Sequence, residues 1–353
     1  MTSDKAAGER IASDPATRKS VLEIAANVCR GRWLVAAVYG YGVLIFGLWA
    51  WMFWAGDRQW LATLVLFGPR WICGLPLPLL VAAAALGRRR LLWPLTLIGV
   101  FIVGPIMGFQ AHLPRWASGH PRLRVLTCNV DEDLSTRRAL ADLIARVQPD
   151  VVALQEAKQG AEFFWPPDWS VMCNDEFVLA SRWPVTECEA VHVPDNPTKI
   201  CGIRFSVKLP DAEVQLFNVH FETPRPGLEA VLNRHKGLDF SRARELENVL
   251  QLRAAESERV SGWIARFGTP AIVVGDFNTP VESTIFRRYW SSLTDAFCQR
   301  GWGFGFTKVS EKDGWSYGAR IDHVLFTPQW RCTRCWVGDD IGSDHLPLLA
   351  DFQ

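Results

Sequence analysis

The sequence has almost no net charge, no internal repeat and no low-complexity tract. A formal charge of +1 over 353 residues, with 49% of them hydrophobic, excludes an extended, solvated tail, and the length excludes one small domain. The balance hides two unlike halves. Met1–Ser118 carries 12 Lys and Arg against 5 acids, so the remainder has a formal charge of −6. A nuclease that tracks long duplex DNA usually presents a basic face, so the sign of this charge is a mild argument against that substrate. A cysteine framework is missing as well, since 9 cysteines cannot all pair within one chain. Cys332-Thr333-Arg334-Cys335 has no second pair and no flanking His, against a zinc or redox centre, and in a strand its two thiols point to opposite faces. They read as strand residues, with one disulfide left open to an exported domain.

Long runs without charge occupy the first half. Trp33 to Ala55 contains no charged residue and is long enough to cross a bilayer core. A second run, Trp60 to Leu86, is interrupted at Gly68-Pro69-Arg70, leaving Trp71 to Leu86 as its spanning part, and a third extends from Leu91 to Phe109. Pro76, Pro78 and Pro105 lie inside these runs and would kink a helix. Arg18, Lys19, Arg30 and Arg32 precede the first run and Arg88-Arg89-Arg90 separate the second and third, whereas only Arg58, beside Asp57, lies between the first two. Three crossings put every basic cluster on the cytoplasmic side and everything after Phe109 outside. Buried helices of a soluble protein are the alternative. A cleaved signal peptide fits less well, because the polar lead is long and no small-x-small site follows the first run. The expected organisation is a cytoplasmic segment over 1–32, a transmembrane region of about three helices over 33–110, a linker over 111–121 and a soluble domain over 122–353.

In the soluble half short apolar runs alternate with turns. Leu123–Asn129 and Val151–Leu154 read as strands flanking a helix over Leu134–Val147, where Leu140, Leu143, Ile144 and Val147 recur at helical spacing. Phe177–Ala180, Gly202–Leu209 and Val214–Glu222 read as further strands. After a polar excursion over Thr223–Asp239, a helix runs to Phe267 with Ser241 as its expected N-cap. Ala271–Gly275, Ile321–Phe326 and Leu346–Phe352 complete the set.

Polar residues cluster at the ends of these strands: Asn129, Glu156, His220, Asp276 with Asn278, Asp322, and Asp344 with His345. Each alone reads as a cap, a turn or a satisfied core histidine, and Gly275-Asp276-Phe277-Asn278 is also an ordinary turn sequence. Brought together, the carboxylates would repel one another unless a cation or an imidazolium sat among them. Hard oxygen donors suit Mg²⁺ or Mn²⁺ over zinc, and Mg²⁺ commonly shares its shell with a substrate phosphate. A phosphate ester is the expected substrate.

Thr127-Cys128-Asn129, Gln155-Glu156, Asn218-Val219-His220, Gly275-Asp276-Phe277-Asn278, Ile321-Asp322-His323 and Ser343-Asp344-His345 follow the order of motifs in the endonuclease/exonuclease/phosphatase, DNase I-like, superfamily. Arg122 to Gln353 resembles that family throughout. The resemblance implies an α/β fold, a four-layered α/β sandwich of two packed β-sheets flanked by helices, and divalent-cation-dependent hydrolysis of a phosphomonoester or phosphodiester. It implies Glu156 as the principal metal carboxylate, with Asn129 and Asp344 helping to form the cation site. Asp276 would orient or deprotonate the attacking water, Asn278 would bond the phosphate oxygens, and Asp322 would orient His345. His345 and His220 would act on either side of the phosphate, in an assignment of base and acid that the sequence leaves open. Asp175 is the acid implied beside His220. The excursion from Glu222 to Arg244, with Arg225, Arg234, Lys236, Arg242 and Arg244, departs from the simplest pattern and reads either as a lid or recognition element or as a solvated loop. The expectation is a membrane-anchored phosphodiesterase acting on nucleic acid, a phospholipid or a small phosphodiester, with the lipid bilayer around its helices and no protein partner. A catalytically silent scaffold is the second reading, disfavoured because no expected catalytic position is replaced.

Overall fold

The computed structural model describes residues 15–112, 121–130, 133–158, 162–194, 196–233, 237–268, 270–312 and 315–353. The polar lead before Pro15, most of the expected linker, and Arg234 with Lys236 lie outside the described residues. The chain forms two compact units, Met1–Ala50 with Trp71–Met107, and Trp51–Arg70 with Gly108–Gln353. In chain order the helices of the first half are α1 (Pro15–Ala55), α2 (Trp60–Phe67), α3 (Pro76–Gly87) and α4 (Leu92–Phe101).

Among the described residues, Gly31–Ala55, Arg70–Gly87 and Arg89–Ile106 are the 3 stretches long and apolar enough to cross a membrane. Within the first unit Val38, Ala84, Leu91 and Leu95 pack together, as do Ile45, Ile102 and Ile106, while Leu44, Leu79, Leu86, Leu97 and Val100 stay exposed. The prolines are accommodated. Pro76 and Pro78 open α3, in the first turn where no intrahelical hydrogen bond is lost, and Pro105 falls in a π-helical turn, Ile102–Ile106. The apolar run beginning at Trp60 breaks at Gly68-Pro69, and its first part, α2, belongs to the second unit.

The strands that build the second unit's sheets are β1 (Leu123–Asn129), β2 (Val151–Gln155), β3 (Ser170–Asn174), β4 (Phe177–Ser181), β5 (Val185–Val193), β6 (Asn196–Lys208), β7 (Glu213–His220), β8 (Ala271–Asp276), β9 (Thr294–Asp295), β10 (Asp322–Phe326), β11 (Cys332–Val337) and β12 (Leu348–Phe352). Its later helices are α5 (Leu134–Val147), α6 (Arg225–Val231), α7 (Ala243–Ile264), α8 (Thr284–Tyr289) and α9 (Ala296–Arg300). One 6-stranded sheet has the order β11-β12-β1-β2-β4-β3 and the other β9-β10-β8-β7-β6-β5.

Side-chain alternation makes the layers. Along β8, Ile272 and Val274 enter the core between the sheets with Val125, Ala153, Leu216 and Leu348, whereas Ala271 and Val273 face Val260 and Trp263 of α7. On the other sheet Leu126, Val152 and Leu154 turn outward to meet Leu140, Leu143 and Ile144 of α5. The result is the four-layered α/β sandwich that the motifs imply.

Register then delivers the polar ends. β1 pairs in parallel with β2, setting Asn129 opposite Gln155. β8 pairs in parallel with β7 and antiparallel with β10, so Asp276 has His220 as one Cα partner and Asp322 as the other. Parallel strands whose ends share a rim are where α/β folds usually place their ligands.

Local details differ from the sequence reading in two places. Ser241 does not cap the long helix: it lies inside a short 3₁₀ turn, Phe240–Arg242, capped by Asp239, whose carboxylate accepts from the Ser241 N–H at 3.1 Å, and α7 then starts behind Arg242 with no side-chain cap. Cys332 and Cys335 both lie in the inter-sheet core, because a register shift between Cys332 and Arg334 inserts one unpaired residue and returns the second thiol to the first one's face. The 7 cysteines whose side chains are described are free thiols.

Candidate active site

Asp276 closes β8 and is buried. Its Oδ1 accepts from the Asn278 N–H at 2.8 Å and its Oδ2 from Asn278 Nδ2 at 3.1 Å, so Asn278, at a left-handed φ of 49°, folds the loop back on the carboxylate. Asn129 Nδ2 donates to Asp276 Oδ2 at 3.2 Å and to Glu156 Oε1 at 2.8 Å, bridging the two sheets. Glu156 also has a left-handed backbone, φ 56°, and its side chain is 53% exposed, enough to meet a ligand in solution. Positive φ at non-glycine positions stores strain that the surrounding structure must hold.

Two histidines flank this centre. His345 Nδ1 lies 2.9 Å from Asp322 Oδ2, with its Nε2 3.7 Å from Asp276 Oδ2. His220 Nδ1 lies 2.6 Å from Glu176 Oε1, with its Nε2 3.6 Å from Glu156 Oε1 and 3.9 Å from Asp276 Oδ2. The turn carrying Asp344 and His345 is pinned to β1 through Ser343, whose hydroxyl donates to the Asn129 carbonyl at 2.9 Å and accepts from the His345 N–H at 3.1 Å. Asp344 completes the rim, with Oδ1 3.9 Å from His345 Nε2, and pairs with Lys308 and, at 3.5 Å, with Arg225 of α6. The strand-end residues named from the sequence, from Asn129 to His345, therefore enter one connected cluster.

The charges are arranged to compensate. Burial disfavours charge on His345, but Asp322 and Asp276 outweigh it and hold the imidazole up to about 9. Burial likewise opposes charge on His220, and its hydrogen bond to Glu176 with the charge of Asp276 raises it nonetheless. Asp276 is pushed up by burial and by Asp322, against the pull of His345 and His220.

Sequence reasoning missed Glu176 and Lys308, and quoted Gln155 and Asn218 in its motifs without giving them a role. Glu176, not Asp175, supports His220: Asp175 occupies the tip between β3 and β4 at φ 54°, and that turn swings the next residue toward the histidine. Behind the site Gln155 Nε2 donates to Asn218 Oδ1 at 2.6 Å and Asn218 Nδ2 to the Leu154 carbonyl at 2.9 Å, joining β2 to β7 across the sheets. Lys308 meets Asp344 from a segment with no motif of its own. The excursion after His220 folds as α6 followed by a short hairpin, and its Arg225 supplies the second cation beside Asp344.

The model of the Endonuclease/Exonuclease/phosphatase family matches residues 126–345, which spans all of these groups. The chain belongs to the endonuclease/exonuclease/phosphatase family. Membership makes it a phosphoesterase, a hydrolase acting on phosphate ester bonds. Solved structures similar to it include a 3′-5′ exonuclease (NExo) from Neisseria meningitidis, 21% identical with a TM-score of 0.48, covering 65% of this chain and 100% of that one. TDP2 of D. rerio in complex with single-strand DNA product is 17% identical with a TM-score of 0.47, covering 65% of this chain and 98% of that one. The human Nocturnin catalytic domain with bound sulfate is 16% identical with a TM-score of 0.47, covering 67% and 96% respectively. No curated protein matches the chain.

Enzymes of this family generally use divalent metals, and the site fits one. Ligand atoms of Asp276, Asp322 and His345 lie within 4.8 Å of one another, and Asp322 Oδ1 is buried with no hydrogen-bond partner. The His345 imidazolium already offsets that pair of carboxylates. Glu156, open to solvent and beside Asn129, is the hard oxygen donor left with charge to share.

Proposed function

We propose that the protein is a membrane-anchored, divalent-cation-dependent phosphodiesterase whose catalytic unit lies on the extracytoplasmic side. The observation that carries the catalytic reading is the pair of carboxylate-supported histidines, His345 on Asp322 and His220 on Glu176, facing each other across Asp276. Glu156, with Asn129 and Asp344, would hold the cation. When bound, the cation supplies Lewis-acid polarisation of a phosphoryl oxygen and offsets its charge.

The chain's own groups supply the rest. Asp276, kept from titrating at its ordinary value by burial, orients and takes a proton from the attacking water. Asn278 is fixed against Asp276 and the Phe221 carbonyl, the latter at 2.9 Å, so its side chain is pre-set beside the phosphate oxygens. His345, held protonated by its two carboxylates, donates to a phosphoryl oxygen, and His220 serves the leaving oxygen on the other side. Arg225 and Lys308 add positive charge at the rim, where an anionic ester must enter. The anchoring reading rests on the 3 apolar stretches, and the side on the basic residues that precede the first and separate the second and third. Substrates of matching chemistry are single-stranded or short nucleic acid, phospholipid headgroups and small phosphodiesters.

The test is an assay of the detergent-purified full chain on an aryl phosphodiester, DNA, RNA, sphingomyelin and phosphoinositides. EDTA should abolish turnover, with Mg²⁺ or Mn²⁺ restoring it, and Asp276→Ala and His345→Ala should each cost on the order of 10³-fold or more in kcat. Turnover that survives EDTA and both substitutions refutes the mechanism.

A further inference from the structure

The loop between the first two apolar runs carries a carboxylate that the catalytic reading leaves unused. Asp57 is buried, and its side chain is 0% exposed. Its Oδ1 lies 3.7 Å from Nη1 of Arg253 on α7, itself 1% exposed. Its Oδ2 accepts from the Ser283 hydroxyl and, at 3.5 Å, from the Ile285 N–H. Ser283 in turn caps α8, accepting from the Ile285 and Phe286 N–H groups at 3.0 and 3.2 Å.

Arg253 points the other way into the active-site loop. Its Nη2 donates to the Asn278 carbonyl and, at 2.6 Å, to Thr279 Oγ1. The Thr279 carbonyl is gripped from its far side by His323 Nε2 at 2.9 Å. The helix that follows this loop supplies a second contact to this arginine, since the Phe67 ring of α2 lies 5.4 Å from its guanidinium carbon. Trp60 and Leu64 of α2 pack with Val231 of α6 and with Leu246 and Leu250 of α7, fixing the element that carries them. Burial opposes the charge of Arg253, and Asp57 is the largest of the carboxylates that offset it, ahead of Glu256, so removing Asp57 leaves the buried guanidinium under-compensated.

We propose that Trp51–Arg70 is a working part of the catalytic centre, with Asp57 as a positioning residue that acts through Arg253 on the Asn278–Thr279 backbone. Asn278 is the residue assigned above to the phosphate oxygens, and the catalytic half of the idea rests on that reading. The positioning half does not. It follows that the membrane loop and the catalytic loop are locked in one buried network, and that a fragment beginning after residue 111 lacks an element of its own site.

The experiment uses the full chain in detergent or nanodiscs, with Asp57→Asn, Arg253→Gln, the double variant and the charge-preserving Asp57→Glu. Each is read by kcat and KM on an ester that the parent cleaves, by thermal unfolding, and by hydrogen exchange of peptides covering Asp276–Thr279 and Leu123–Asn129. Asp57→Asn should lower kcat by on the order of 10- to 100-fold while KM stays within about twofold, because an aligned group is displaced while the groups that bind the ester stay in place. Exchange should rise over Asp276–Thr279 and stay at the parental level over Leu123–Asn129. The double variant should be no slower than the worse single one, since both act along one path. If Asp57→Asn fails to fold, Asp57→Glu carries the test, with a smaller loss of kcat and the same local rise in exchange. Parental kcat and parental exchange in a folded variant, or a lowered melting temperature with neither changed, overturns the proposal. A parent inactive on every ester defeats the catalytic reading instead, and the exchange arm still decides the positioning.

Discussion

Gly275 sits where β8 pairs with strands on both sides, opposite Val219 of β7 and His323 of β10, one residue before Asp276. Its φ is 132°, a conformation that side chains rarely adopt. A Cβ built there meets the Val219 carbonyl oxygen at 2.0 Å, with the Val219 nitrogen at 2.9 Å and carbon at 3.0 Å, against an ordinary contact of 3.4 Å or more. All three are backbone atoms, so no side chain can swing aside. In Gly275→Ala, relief of the clash must therefore part β8 from β7 by about 1 Å at the point where Asp276 is opposed to His220. The backbone strain costs on the order of 1–3 kcal/mol, or roughly 2–12 °C of melting temperature in a domain of this size. The catalytic cost is of comparable size, since a displacement near 1 Å at reacting groups costs about 10²-fold, or about 2.7 kcal/mol. The assay compares kcat and thermal unfolding of Gly275→Ala with those of Gly262→Ala on α7, where an added Cβ meets nothing within 4 Å and the helix should gain slightly. An alanine at 275 with parental kcat and melting temperature would refute the argument that this close approach sets the Asp276–His220 geometry.

Three further outcomes follow. Glu176→Gln should cost roughly 10–100-fold in kcat by removing the carboxylate that orients His220, whereas Asp175→Asn at the hairpin tip should leave kcat at the parental level; equal losses in the two would return the assignment to Asp175. Burial pushes Asp295 up, but its bond with His323 Nδ1 at 2.8 Å and the neighbouring charge hold it down to about 2. Because the folded value is depressed below 3.8, that stability is present above about pH 4 and is lost as pH falls toward about 2. Asp295→Asn should therefore unfold more easily than the parent at pH 7, by about 2 kcal/mol, with the gap narrowing below about pH 4 and closing only as pH reaches about 2; a gap independent of pH argues against the pair. Protease added to intact spheroplasts should degrade the catalytic unit, and protection until the membrane is permeabilised would reverse the proposed topology.

Much of this architecture is readable in the sequence because strand burial and strand ends write themselves plainly. The bounds of β1 and α5 follow from apolar periodicity alone, and Asn129, His220 and Asp276 stand out as polar residues closing buried runs. What periodicity does not encode is register and long-range pairing. Glu176 falls beside His220 only because a left-handed Asp175 turns the hairpin, and one unpaired residue in β11 puts Cys332 and Cys335 on one face against their spacing. Asp57 carries no local signal at all: beside Arg58, between two apolar runs, it reads as a solvated loop charge. Its role exists only once α7 and the 276–279 loop are packed against it.

The hydrogen bonds from Gln155 to Asn218, and from Asn218 back to the Leu154 carbonyl, run from one sheet to the other directly behind the site. They make the catalytic machinery indivisible. Glu156 and Asn129 come from one sheet and His220, Asp276 and Asp322 from the other, so neither sheet carries half an activity that recombination could transplant. A chimera that exchanges one sheet with a relative must carry both amides of this bridge from the same parent, or the two halves will dock with their reactive groups out of step.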